Sequence, residues 1–319
     1  MSHWLKTIAA LLILVSTLDA KPRAAGREGK QMATFYFYGT VSDSLTAAGN
    51  YSGGVAPTGA TTDTIVVAAT AVRGILSNVV QPTWDIASLR IESGFRHNVG
   101  SSTSKFTMAA ATVYDFGDGD LWLDADGPAG ADIDKVVINK GSLAGRVYLY
   151  DSGDEIPIVD VKRGVVHYRC DSSTSEVNLS YRDFVLEDAT VIVDPSSAPN
   201  VGIQTFTVNG GLLRMDPIAG GMASTTMVGY VNAGVLDTTD TTWLTILQTG
   251  GVVIPRRVDL ENASGILASS IYHGIGGVFD VTHTPATISG TTLRKWTGWQ
   301  VLDQEPTKYS FGTTRIIGQ

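Results

Sequence analysis

Potential metal ligands are concentrated in one aspartate-rich stretch of the chain. It contains Asp115, Asp118, Asp120, Asp124, Asp126, Asp132 and Asp134. The run Asp124-Ala125-Asp126-Gly127 begins like a calcium-binding loop, but no glutamate stands where such a loop needs its closing ligand. Gly117-Asp118-Gly119-Asp120 is a single copy of a motif that binds calcium only when it is repeated at fixed spacing. We therefore expect solvated aspartates that tighten turns by bonding their own backbone, with calcium binding between Asp115 and Asp134 as the alternative.

Asp160 and Asp183 are an example of two carboxylates that neighbouring coils could bring together. Glycan cleavage needs two carboxylates about 5–10 Å apart. The two aspartates are separated by the length of the sequence repeat described below, so stacked repeats would bring them near each other. A chain with 31 acidic residues offers such pairs by chance, and it has no phosphate-binding loop or nucleophile elbow. We predict no catalytic residue and no enzymatic activity.

The remaining side chains that could do chemistry are scattered. The single cysteine, Cys170, excludes an intrachain disulfide, and His167 would lie on the opposite face of a strand from it. No histidine has metal-ligand spacing, so no metal or cofactor is predicted. Large aromatic rings could stack on sugars, although we expect them to close a core or a subunit interface. The histidines are His3, His97, His167, His273 and His283, and the aromatic candidates are Trp243, Trp296 and Trp299.

Small residues recur at a nearly constant interval of about 23 positions along the middle of the chain. An apolar or aromatic residue stands three places before each such position, and a second one often stands two places after it. A fixed period in this range indicates stacked supersecondary units. The small residues are Gly94, Gly117, Gly141, Gly164, Gly211 and Gly234, with one position missing near Asp188. The residues three places before are Ile91, Tyr114, Ile138, Val161, Val185, Val208 and Val231. Those two places after are Leu143, Val166, Leu213 and Leu236.

The content of each repeat is typical of β-strands. Val, Ile, Thr, Tyr and Leu alternate with polar residues, and Gly, Asn, Asp and Ser separate the runs. The fold class predicted is all-β, a parallel β-helix (β-solenoid) of about 23 residues per coil with irregular N- and C-terminal caps. One inward-facing column is expected to consist of Ile138, Val161, Val185, Val208 and Val231.

Four segments follow from these patterns. Residues 1–31 form a hydrophobic and basic leader or N-terminal arm, and residues 32–71 form an N-terminal cap. Residues 72–284 form the β-solenoid, whose rhythm loosens after Gly234, and residues 285–319 form a C-terminal cap or attachment segment. The leader is open to three interpretations: a secretory signal, a retained arm, or a mis-called start upstream of Met32. Its apolar run from Thr7 to Leu18 is too short for an ordinary membrane span.

Two landmarks near the start resemble bacteriophage structural proteins. One is the aromatic strand Phe35–Tyr38 followed by Asn50-Tyr51-Ser52-Gly53-Gly54, Pro57 and Asp63; the other is the Gly94-Phe95 corner followed by Asn98-Val99-Gly100-Ser101. The resemblance is to virion surface proteins of β-helix type, such as capsid decoration and head-fibre proteins. It implies a virion surface location, a homotrimer, and binding to the major capsid protein or other virion proteins.

The function expected is therefore that of a non-enzymatic structural protein that decorates or braces a phage capsid. A net charge of −8 argues against a nucleic-acid partner, and no small-molecule substrate is predicted. Two alternatives stay open. The same scaffold could be a receptor-binding tail spike or fibre or a glycan depolymerase, or it could be a secreted bacterial β-solenoid adhesin.

Overall fold

The computed structural model describes most of one compact unit, Ala33–Gln319. The described residues are 33–75, 84–107, 109–124, 133–151, 158–170, 183–194, 205–215, 227–238, 244–255, 271–280, 292–302 and 313–316. The predicted leader, residues 1–31, lies outside them. The assignment of residues 32–71 and 285–319 as caps stays a prediction.

Short β-strands make up nearly all of the regular structure. Two single turns of 3-10 helix, Ala48–Asn50 and Ser52–Gly54, lie near the start, and no described helix is long and apolar enough to cross a membrane. The strands are β1 (Ala33–Phe37), β2 (Asp63–Val67), β3 (Asp85–Ile91), β4 (Phe106–Thr107), β5 (Ala109–Asp115), β6 (Leu121–Asp124), β7 (Ile133–Asn139), β8 (Arg146–Asp151), β9 (Ile158–Cys170), β10 (Asp183–Asp194), β11 (Thr205–Val208), β12 (Leu212–Met215), β13 (Met227–Val231), β14 (Val235–Thr238), β15 (Leu244–Gln248), β16 (Val252–Pro255), β17 (Ile271–Asp280), β18 (Thr292–Leu302) and β19 (Thr313–Ile316).

All of the strand pairings are parallel, and they form two stacks. The first stack runs β1–β2–β3–β5–β7–β9–β10–β11–β13–β15–β17–β18–β19. The second runs β4–β6–β8–β9–β10–β12–β14–β16–β17–β18. The long strands β9, β10, β17 and β18 belong to both stacks. The predicted β-solenoid with about 23 residues per turn is confirmed.

The interior is built from residues that repeat in register from coil to coil. In the first stack one column runs Val67, Ile91, Asp115, Ile138, Val161, Leu186, Val208, Val231 and Gln248. In the second stack the column is Leu121, Val147, Val166, Val191, Leu213, Leu236, Val253 and Phe279. Apart from Leu186, whose side chain is not described, every one of these residues is buried. Apolar area removed from water is the main favourable contribution to such a fold.

The predicted inward column is correct at four of its five positions. Ile138, Val161, Val208 and Val231 are fully buried and in register. Val185 was the wrong member, because Val161 pairs with Leu186 and Val185 pairs with Asp160. This coil is longer than its neighbours. The interior residue Leu186 stands 25 positions after Val161 and 22 before Val208, whereas a fixed period of about 23 favours Val185.

Two further positions in the repeat were misassigned. Tyr114 precedes the interior position, which is occupied by Asp115 between Ile91 and Ile138. Leu143 is 57% exposed. The buried residue of that coil is Val147, four positions later, because the chain makes a loop before β8 begins.

Glycine is needed at the recurring positions for two different physical reasons. Gly211, Gly234, Gly251 and Gly277 have φ between +66° and +87°, a region that other residues enter at a cost. Gly117 and Gly141 instead give space: an added Cβ would lie 2.8 Å from the Ile91 side chain or 2.6 Å from Asp118 Oδ1. The position missing from the series is Ala189, which pairs with Gly164.

The loop between β1 and β2 is organised by the residues that carried the phage resemblance. Asn50 is fully buried; its Oδ1 accepts hydrogen bonds of 2.9 Å from the backbone N–H groups of Val41 and Ser42. The Tyr51 hydroxyl donates to the Leu45 carbonyl at 2.7 Å, and burial raises the pKa of this phenol. This motif therefore has a structural role in this chain.

Candidate functional site: a buried carboxylate–lysine pair beside a cleft

Asp115 occupies an interior position that the neighbouring coils fill with apolar side chains. It ends strand β5, and its register partners Ile91 and Ile138 lie in the coils before and after it. Its exposed fraction is 0%. An isolated buried carboxylate is strongly disfavoured, so the site must supply a partner.

The partner is Lys140, which follows β7 in the next coil. Its Nζ lies 2.6 Å from Asp115 Oδ2, and the two side chains are 1% and 0% exposed. Lys140 Nζ also donates to the Gly119 carbonyl at 2.6 Å, and the Lys140 backbone N–H donates to the Arg163 carbonyl at 2.9 Å. The lysine is thus anchored to the coils on both sides of its own.

The glycines around the pair leave it room. An added Cβ at Gly164 would lie 3.1 Å from Lys140 Cγ. The Gly117 backbone N–H donates to Asp115 Oδ1 at 3.1 Å, and Oδ2 is in ion-pair contact with Lys140 Nζ. The repeat glycines therefore shape the site as well as the coil.

The electrostatic balance at Asp115 raises the pKa of its carboxyl group. Burial raises the pKa of this carboxyl, while the charge of Lys140 and the hydrogen bonds from Lys140 and Gly117 oppose that shift. Burial is the largest contribution, and the nearby charge of Asp118 adds to it.

A cleft of about 500 Å³ opens on the surface above this pair. Its chemistry is mainly cationic and polar, because two guanidinium groups outnumber the single carboxylate of Glu92. Arg90 lies over the Phe116 ring, with 5.4 Å between Cζ and the ring centroid. The lining residues are Arg90, Glu92, Ser93, Phe116, Asn139, Lys140, Gly141 and Arg163.

The described members of the aspartate-rich stretch do not form one site. Asp115 and Asp124 are buried, contrary to the expectation of solvated turns, and Asp124 lies 3.6 Å from Lys105 Nζ. Asp120 bonds the backbone of another coil, since its Oδ1 accepts from the Arg146 N–H, 26 residues away, at 2.8 Å. In the part of the chain that the structure describes, no three acidic, histidine or cysteine side chains are grouped to hold a metal. Asp126 and Asp132 lie outside the described residues.

Asp160 and Asp183 are not opposed across neighbouring coils. Asp160 pairs with Val185, and Asp183 pairs with Ile158. The register is therefore offset by two residues from the one that would bring them together. His167 and Cys170 lie in the same strand, β9. His97 is exposed and makes an edge-type ring contact with Phe95. His273 lies in β17, and Trp296 and Trp299 lie in β18. His3, His283 and Trp243 lie outside the described residues.

Sequence reasoning missed Lys140 and an aromatic ladder. Trp122 stacks on Tyr148 at a centroid distance of 3.7 Å, and Tyr148 stacks on His167 at 5.1 Å. A carboxylate at an interior position demands a cation in the next coil, and this signal exists only once Asp115 is known to be interior. That signal was hidden because Tyr114, beside Asp115, satisfied the apolar pattern.

The chain matches no protein-family model, no curated protein and no solved structure.

Proposed function

We propose that this protein is a non-enzymatic structural component of a phage particle, and that it decorates or braces the capsid surface. The observation that supports a structural role is the continuous parallel pairing from β1 to β19 around an interior filled by registered side chains. Stacked coils of this kind form a rigid scaffold, because each strand is held by neighbours on both sides. The assignment to a capsid rests on the sequence resemblance alone.

The test compares purified particles with and without this protein. Particles carrying it are expected to survive higher temperature or osmotic shock before they release their genome. Peptide mass spectrometry of separated heads and tails locates the protein, and light scattering of the purified chain measures the expected trimer. Equal rupture of both particle types would contradict bracing, and recovery only with tails would contradict a capsid location.

The cleft supports a second candidate, a receptor-binding protein for an acidic glycan. Arg90 and Arg163 present guanidinium groups at an open surface, and such groups bind carboxylates and sulfates by paired hydrogen bonds. The substitutions Arg90→Ala and Arg163→Ala should each weaken binding of an acidic polysaccharide. Arg96→Ala, which changes an exposed arginine outside the cleft, is the matched control. Unchanged binding in both cleft variants would exclude this role.

The same polysaccharide incubation tests the non-enzymatic part of the proposal. Intact polysaccharide after prolonged incubation is the expected result. Release of shorter sugars would show a depolymerase and would overturn it.

A further inference from the structure

The amine of Lys140 and the carboxyl group of Asp115 are held in contact inside the apolar interior. Their 2.6 Å separation is fixed by elements in three successive coils: the end of β5, the residue after β7, and the Arg163 carbonyl of β9. We propose that these two side chains condense spontaneously into an amide, so that an isopeptide bond joins consecutive coils of the solenoid.

The first requirement is a nucleophilic amine rather than an ammonium ion. Both side chains are at least 99% removed from solvent, and keeping a pair of charges out of water is costly. Transfer of one proton from Nζ to Oδ2 across their contact gives a neutral amine and a neutral carboxylic acid. A desolvated lysine amine is a competent nucleophile toward a carbonyl carbon.

The second requirement is an activated and correctly oriented carbonyl group. The Gly117 N–H lies 3.1 Å from Asp115 Oδ1, where it stabilises negative charge that develops on this oxygen. Oδ2, on the lysine side, is then the oxygen that leaves. The Gly119 carbonyl accepts a hydrogen bond from Nζ at 2.6 Å and holds the nitrogen beside the carboxyl group. Reactants fixed in this way react as if at very high local concentration.

The reaction needs no oxidant, metal or second substrate. The Nζ lone pair attacks Cγ of Asp115, the carbon–nitrogen bond forms, and the carbonyl electron pair moves to Oδ1. That pair then returns as the Cγ–Oδ2 bond breaks. Oδ2 leaves as water with two of the three protons that the ammonium group carried at the start, and the third proton remains on the amide nitrogen.

Peptide mass spectrometry of the folded full-length protein tests the bond directly. Trypsin should release Phe106–Lys135 joined to Val136–Arg146 as one branched product, lighter by one water than the sum of the two peptides and uncut after Lys140. Recovery of Phe106–Lys135, Val136–Lys140 and Gly141–Arg146 as separate peptides of full sequence mass, after prolonged incubation of the folded protein, would overturn the proposal.

Variants identify the bond. Lys140→Arg and Asp115→Ala should each abolish the branched product, and persistence of that product in either variant would overturn the assignment. The Lys105–Asp124 pair is an internal control in the wild-type chain, because its atoms are 3.6 Å apart and its side chains are 25% and 10% exposed. A bond between Lys105 and Asp124 would leave the peptide His97–Lys135 uncut after Lys105 and lighter by one water, and we expect no such product. An equal yield there would mean that the geometry at Asp115 is not the cause.

Discussion

At the scale of single residues, buried polar groups determine how the irregular parts of the chain are held. Asn50 bonds four groups of the loop between β1 and β2, namely the N–H groups of Val41 and Ser42, the Ser42 hydroxyl and the Ser44 carbonyl. Tyr51 closes the same loop on the β1 side, with its ring 5.7 Å from that of Phe37. These residues stabilise a segment that contributes no strand of its own.

Replacing Tyr51 with phenylalanine should destabilise this loop. The ring packing is kept, but the buried Leu45 carbonyl loses the hydrogen bond that it accepts at 2.7 Å. An unsatisfied buried acceptor costs about 1–3 kcal/mol. The unfolding free energy from a denaturant titration measures the loss. Tyr36→Phe changes a tyrosine in β1 that is 40% exposed, and it should leave stability nearly unchanged; an equal loss in both variants would contradict the role of the hydroxyl.

A charge placed in the interior column should be far more damaging. Val208 is 0% exposed and pairs in register with Leu186 on one side and Val231 on the other. Val208→Asp buries a carboxylate without a cation, which costs about 3–5 kcal/mol. Thr207→Asp in the same strand faces the other way and is the matched control. The thermal midpoint should fall strongly only for Val208→Asp, and a wild-type midpoint would reject the register.

Residue identity also explains where sequence reasoning succeeded and failed. The apolar residues at 138, 161, 208 and 231 were predictable because burial and period agree there. The interior position of Asp115 was not predictable, because a carboxylate is not assigned to an interior unless a cation beside it is known. Lys140 is recognised as that cation only once the strand register is established. Predicting the candidate site therefore required a contact between residues in different coils, whereas predicting the fold required only a repeating pattern in the sequence.

At the scale of strands and coils, bulky side chains are matched to small ones in the adjoining coil. Phe206 in β11 is fully buried, and its register partner in β13 is Gly229. A Cβ added at Gly229 would collide with the Phe206 ring. This glycine is therefore required for space, whereas Gly211 and Gly234, directly before β12 and β14, have positive φ.

The match between Phe206 and Gly229 predicts a non-additive pair of substitutions. Gly229→Ala should overpack the interior and cost about 1–3 kcal/mol. Phe206→Leu alone leaves space and also destabilises. In the double variant the smaller side chain makes room for the added methyl group, so the combined loss of unfolding free energy should be less than the sum. Additive losses would show that the two residues do not interact.

At the scale of the whole described unit, each coil contacts mainly the coils before and after it. The pairings of β11, for example, are with β10 and β13 alone in the described part of the chain. Stability in such an array is the sum of local terms and nearest-neighbour interfaces. Damage should therefore remain local.

Hydrogen exchange can measure how far a local defect spreads. In Val208→Asp, amides of β10, β11 and β13 should exchange faster because their shared interior column is disrupted. Amides of β2 and β3, several coils away, should keep their wild-type rates, as should those in Thr207→Asp. A uniform increase throughout the chain would mean that the unit unfolds as a single cooperative block.

Coil length in this protein is independent of coil register. Asn232 bonds Asn209 across a step of 23 residues and Thr249 across a step of only 17, yet both contacts join equivalent positions after Val208, Val231 and Gln248. The number of residues between successive strands can therefore change during evolution while the interior side chains keep their partners. For the same reason, the segments that connect the strands are suitable positions for inserting foreign peptides. A chain that carries one such peptide in each coil would display neighbouring peptides about 4.8 Å apart.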